Sequence, residues 1–134
     1  MAKVSTVMLT STAGKLNEVG QAIKFAGYYG MSRGIGTVAV YANNLVGRVY
    51  IQGTLATNPT EKDWFPIWLE ECNPFAQFPM DPNYPTGQND GDSGVFSWTF
   101  QANLTYVRAL VDRSYLQMPQ MIDVGTVQQI LINF

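Results

Sequence analysis

Residues 47–69, GRVYIQGTLATNPTEKDWFPIWL, join an alternating strand, a Pro-containing turn and an aromatic-rich second strand. Val49, Ile51 and Leu55 recur with a period of two while Arg48, Tyr50, Gln52 and Thr54 take the other face, the pattern of a strand with one buried side. Gly53 falls on the apolar row and predicts a bulge or the close approach of another backbone. Pro59 removes a ladder donor, so the strand must end before it. The Thr60-x-x-Asp63 spacing predicts a capped turn before extended structure resumes at residue 65.

The same punctuation runs through the chain. Eight β-like stretches are predicted, at residues 3–10, 19–26, 37–42, 46–55, 65–70, 95–102, 106–112 and 126–133. Residues 12–25 carry Leu16, Val19 and Ile23 near a helical spacing, but Gly14, Gly20 and Gly27 weaken a helix, and the segment is read as a strand. Short strands separated by Gly, Asn and Pro clusters indicate antiparallel sheets packed face to face, an all-β, jelly-roll-like antiparallel sandwich. Asn43-Asn44 tolerates left-handed backbone and is expected to close a hairpin between residues 37–42 and 46–55. The longest irregular piece, residues 72–94, holds Pro74, Pro79, Pro82 and Pro85 and reads as a contact loop or a clamp. Its Phe75, Phe78, Met80 and Tyr84 argue against plain disorder and for packing on its own domain or on a neighbour.

At 134 residues the expectation is one domain over 1–134, able to fold without staples. Charged residues make up 13%, about half the usual fraction, which favours burial against neighbours. The net charge is −2 with scattered Lys and Arg, so neither a nucleic-acid partner nor an anionic membrane is expected. The amino end shows no cleavable-signal pattern, and no window reaches the length of an apolar membrane span.

The chain has no histidine. That excludes Ser-His-Asp and Cys-His catalysis and the usual zinc and non-haem iron sites. Glu70 and Glu71 are strand neighbours that point to opposite faces, and Asp90 and Asp92 lie in a Gly-rich loop, so neither pair forms a placed acid and base. Residues 90–94 match a calcium loop only in part, and Gln101 stands where an EF-hand needs Glu. Gly34-x-Gly36-x-x-Ala39 fits a dinucleotide fingerprint by pattern, but Val38-Ala39-Val40-Tyr41 continues as a strand where a helix is required. Asn103-Leu104-Thr105 is a glycosylation sequon at a strand edge in a chain without a secretion signal. Cys72 reads as a small packed side chain. No catalytic, cofactor-binding or metal residue is assigned, and a non-enzymatic protein is expected.

Trp64, Trp68, Trp98, Tyr28, Tyr29, Tyr50 and Tyr106 offer faces on which sugars stack, but in a sandwich such rings more often fill the core or cover its ends. The row Phe96, Trp98, Phe100, Ala102 favours the core, and Trp64-Phe65-Pro66-Ile67 reads as core and corner packing.

Gly27-Tyr28-Tyr29-Gly30, then Gly36-Thr37-Val38-Ala39-Val40, then residues 47–69, then residues 100–116 (FQANLTYVRALVDRSYL), then Gly125-Thr126-Val127 and Ile130-Leu131-Ile132 follow in unbroken order. Together they resemble a small β-sandwich module of virion proteins of tailed phages, especially T4-like myoviruses of marine cyanobacteria. The resemblance covers most of residues 27–134 and leaves out residues 1–26, an amino-terminal arm or first strands, and residues 72–94. It implies a structural component of the virion, present in many copies, whose partners are itself, as a homo-oligomer, and other virion proteins; it brings no catalytic residues and no cofactor. The alternative is a receptor- or glycan-binding sandwich of a tail or fibre, with a host-surface glycan as partner. Residues 3–10 are expected to pair with a neighbour's exposed edge. Arg108, in an otherwise apolar strand, is expected to find Asp63, Asp112 or Asp123 in a structural role.

Overall fold

The structure, a computed structural model, describes residues 5–12, 17–30, 33–69, 73–78, 92–113 and 125–134. In chain order these form β1 (Thr6–Leu9), β2 (Glu18–Val19), β3 (Ile23–Lys24), β4 (Ile35–Leu45), β5 (Gly47–Thr54), a 3-10 turn (Glu61–Asp63), β6 (Phe65–Ile67), β7 (Ala76–Phe78), β8 (Asp92–Gln101), β9 (Tyr106–Asp112) and β10 (Thr126–Asn133).

The strands make two antiparallel sheets. The first runs β1-β10-β4-β8; the second runs β2-β9-β5-β6, with β3 also on β9 and β7 also on β5. Taking β2 with β3 as one position and β6 with β7 as another, because each couple pairs with successive parts of one partner strand, leaves eight positions. Their orders are 1-8-3-6 and 2-7-4-5, the topology of a jelly roll. The all-β sandwich expected from the sequence is what the chain forms.

Alternation supplies the core. Val38 and Val40 of β4 lie beside Ile132 and Ile130 of β10, while Val49 and Ile51 of β5 lie beside Val111 and Ala109 of β9. All eight side chains are buried between the sheets, each contributing on the order of 1–3 kcal/mol of apolar burial. Phe96, Trp98 and Phe100 of β8 face the same core, with Phe78 of β7 edge-on to the Phe96 ring at 5.2 Å.

Several expectations are corrected. Asn43-Asn44 does not close a hairpin: the two edges of β4 are taken by β10 and β8, and those of β5 by β9 and by β6 and β7, so β4 and β5 lie in different sheets. Asn44 does adopt a left-handed φ of 52°, but there it turns the chain from one sheet into the other, with its N–H held by Ser93 Oγ at 2.9 Å. Gly53 marks no bulge, since the β5–β9 register runs unbroken through it. It is the floor beneath the Leu104 side chain, which a Cβ at Gly53 would meet at 2.6 Å. Leu55 leaves the buried row: β5 ends at Thr54, and Leu55 is 66% exposed.

The predicted strand at 19–26 is split into β2 and β3, because Gly20 sits against the Met8 carbonyl where no side chain fits, and its N–H bonds Ala109 O at 2.7 Å. The irregular piece at 72–94 contains β7 and the first residues of β8, with Ala76 and Phe78 buried in the core. The rest of it that is described, residues 73–75, is half-buried. β1 pairs with β10 of its own chain, so the amino-terminal strand serves its own sheet.

Candidate functional site

The outer face of the second sheet concentrates the polar and aromatic side chains. Because Val107, Ala109 and Val111 point inward, Tyr106, Arg108, Leu110 and Asp112 point outward, and the register sets them beside Thr54, Gln52, Tyr50 and Arg48.

Arg108 is at the centre. Its Nε donates to Gln52 Oε1 at 2.7 Å, and its terminal nitrogens donate to both carboxylate oxygens of Glu61 at 3.1 and 3.4 Å. The guanidinium lies over the Trp64 ring, 4.4 Å from its centre. Arg108 is therefore only 8% exposed on an outward face: the 3-10 turn and Trp64 close over it. The partner is Glu61, not the expected acids. Asp63 is engaged instead in holding the turn, where its Oδ2 accepts the Thr60 N–H at 2.7 Å and the Thr60 hydroxyl at 3.0 Å. Asp112 lies opposite Arg48, and Asp123 lies outside the described residues. Hydrogen bonding to Arg108, and then the charge of Arg108, holds the Glu61 carboxyl below its ordinary pKa.

Two more cations cover rings on this face. Arg48 lies 4.5 Å over Phe75 and donates through Nε to Gln77 Oε1 at 3.1 Å, with Tyr50 against the same ring. Lys24 lies 4.4 Å over Tyr28, which packs on Tyr29 and Tyr106. Trp64, Phe75 and Tyr28 thus each have a π-face occupied by the chain's own cation.

The reading of Trp64-Phe65-Pro66-Ile67 as core and corner packing holds for Ile67, which packs on the core, whereas Trp64 packs on the outer face against Arg108. It fails for Phe65, 40% exposed, and the adjoining Trp68 is 58% exposed. The ring contacts among the described residues join other pairs, so these aromatics are open but not stacked into a platform. Trp98, Phe96 and Phe100 pack toward the core as expected.

A cleft of about 370 Å³ opens where β1 meets β2, lined by residues 7–10 and 18–21. Among the described residues that line it, Glu18 is the one titratable side chain. Among the described residues no group of acidic or cysteine side chains gathers as metal ligands. Asp92 lies at the start of β8 opposite Leu45, whereas Glu70, Glu71, Cys72 and Asp90 lie outside the described residues. The stretch that fits the dinucleotide fingerprint continues from Ile35 as strand β4. No helix among the described residues is long and apolar enough to cross a membrane.

Sequence reasoning missed Arg113. It is 1% exposed, its Nη1 donates to Gly125 O at 2.7 Å, and its backbone N–H donates to Asn17 Oδ1 at 2.8 Å. The charged run Asp112-Arg113 looks like a solvated strand end, and no local spacing announces that the side chain turns inward beneath Gly47.

Compared with family models, with curated proteins and with solved structures, the chain finds no match.

Proposed function

We propose that this jelly roll is a non-enzymatic structural subunit of a tailed-phage virion, working through contacts with copies of itself and with other virion proteins. The observation that carries the reading is where the exposed large apolar side chains lie. Val7 is on β1, Val19 on β2, Ile35 on β4, Phe65 on β6 and Val95 on β8, with Leu55, Trp68, Tyr28 and Tyr29 on the connections. They are spread over both sheets and their ends instead of lining one groove, as suits a subunit covered by neighbours from several directions. The low charge of the chain and its resemblance to virion modules support the same reading. Weak contacts repeated by particle symmetry add up to firm attachment. Mass spectrometry of purified particles, followed by reconstruction of the particle, tests it: the chain is expected in the particle at high copy number, and its absence from particles would overturn the reading.

A second reading, a receptor- or glycan-binding sandwich of the tail or fibre, draws on exposed Trp68 and on the exposed Tyr28–Tyr29 pair. It ranks second because Trp64 and Phe75 on the outer face are already covered by Arg108 and Arg48, and one face of Tyr28 is covered by Lys24. Binding on a glycan array that is lost in Trp68→Ala would move it to first place.

A further inference from the structure

We propose that β8 is a dimerisation strand, pairing antiparallel with β8 of a second copy of this chain across a two-fold axis near Trp98. The inference concerns the edge itself and needs no virion.

β8 ends the first sheet, with β4 on one side and no strand of the described residues on the other. Ala102 N–H donates to Gly34 O at 2.9 Å, so Gly34 and Ala102 form a hydrogen-bonded pair of the β4–β8 ladder. The register then runs without a break from Ile35↔Gln101 to Ala42↔Gly94. Because such pairs alternate, Gly94, Phe96, Trp98 and Phe100 bond inward to β4, while Val95, Ser97, Thr99 and Gln101 turn their N–H and C=O groups to the open edge. The short Thr37–Thr99 hydroxyl contact of 2.9 Å agrees, since side chains approach closest at non-hydrogen-bonded pairs.

Natural edges carry devices against pairing: Lys, Pro, bulges or short length. The other edges here have them. β1 is four residues long and bulged between Val7 and Leu9, and its Val7 carbonyl accepts from Gln21 Nε2. β6 and β7 are three residues each. β8 has ten residues, and from Ser93 to Gln101 it holds no charged side chain, no Pro and no bulge after Gly94. The edge best matched to β8 is therefore β8 of another copy.

Self-pairing also satisfies the pattern. Centred on Trp98, an antiparallel pair sets Ser97 opposite Thr99 and Val95 opposite Gln101, joining outward backbone groups to outward backbone groups. Trp98 meets its own copy at a non-hydrogen-bonded position, and Phe96 meets Phe100, so the partly buried Phe96 and Trp98 of β8 are covered by the partner's row. With no charged side chain from Ser93 to Gln101, nothing repels along the paired stretch.

The test is sedimentation of the full chain over a concentration series, beside Ser97→Pro, which deletes one outward donor and spares the ladder to β4, and Ser97→Lys, which sets two like charges beside the axis. Far-UV circular dichroism checks that each variant keeps its sheets, and the lysine variant stands in if the proline variant does not fold. Wild type is expected to reach the mass of two chains, and the variants to lose at least tenfold in dimer affinity. Amide exchange is expected to slow at Val95, Ser97, Thr99 and Gln101 as the dimer forms, while Phe96, Trp98 and Phe100 stay protected throughout. A wild type that stays one chain at every concentration, a dimer untouched in the folded variants, or outward amides whose exchange ignores dimer formation would each overturn the proposal.

Discussion

The guanidinium of Arg108 lies 4.4 Å over the ring of Trp64 while its nitrogens hold the Glu61 carboxylate, so a buried charge on an outward strand face is shared between a ring and a turn. The pair fixes the 3-10 turn on the sheet. Arg108→Ala is expected to destabilise the protein by about 1–3 kcal/mol, and the Arg108→Ala/Trp64→Ala cycle to show coupling of about 0.5–2 kcal/mol, read from urea denaturation. Arg108→Lys is expected to recover only part of the loss, because an ammonium cannot reach Gln52 and both Glu61 oxygens together.

Glu61 gives the fold a pH dependence of known sign. Its pKa is lowered in the folded chain, so its stabilisation is complete above the unfolded value and is lost as the pH falls through the folded one. The stability difference between wild type and Glu61→Gln is expected to be largest near neutral pH and to shrink below about pH 4.5. Added salt is expected to shrink it as well, because the carboxylate is exposed.

Gly53 and Leu104 form a second testable couple. Gly53→Ala puts a methyl group into the Leu104 side chain and is expected to cost about 1–3 kcal/mol. In the background of Leu104→Ala the same substitution is expected to cost clearly less, since the obstructing atoms are gone. Thermal melts of the four chains check both numbers.

Arg113 is expected to be among the most sensitive polar positions. Arg113→Ala leaves the Gly125 carbonyl unpaired and opens space beneath Gly47, a loss of about 2–4 kcal/mol. Arg113→Met, which refills the space without the donor, is expected to restore part of it in the same denaturation assay.

The sheets were legible wherever alternation was local. β9 and β10 fall where periodicity puts them, because Val107, Ala109 and Val111 need only their own strand to declare a buried face. Pairing was not legible in the same way. Asn43-Asn44 has the chemistry of a tight turn, and whether that turn closes a hairpin or crosses between sheets depends on β8 and β10, distant in sequence, claiming the edges of β4. β7 hides among prolines because three residues show no period, and it is pairing with Gly47, Arg48 and Val49 of the distant β5 that makes it a strand. At the outer face, Arg108 announced its need for a partner, but its choice of Glu61 over Asp63 follows from Asp63 being occupied by Thr60.

In this jelly roll Thr6 pairs with Ile132, so β1 has its partner in β10, more than a hundred residues further along the chain. On the ribosome, the first sheet cannot close until β10 has emerged, and until then Met8 and Leu9 wait uncovered. Folding is therefore slow for the chain's size, as expected where loop closure precedes most of the gain. A nascent or truncated chain ending before β10 is the form in which this protein most needs a chaperone.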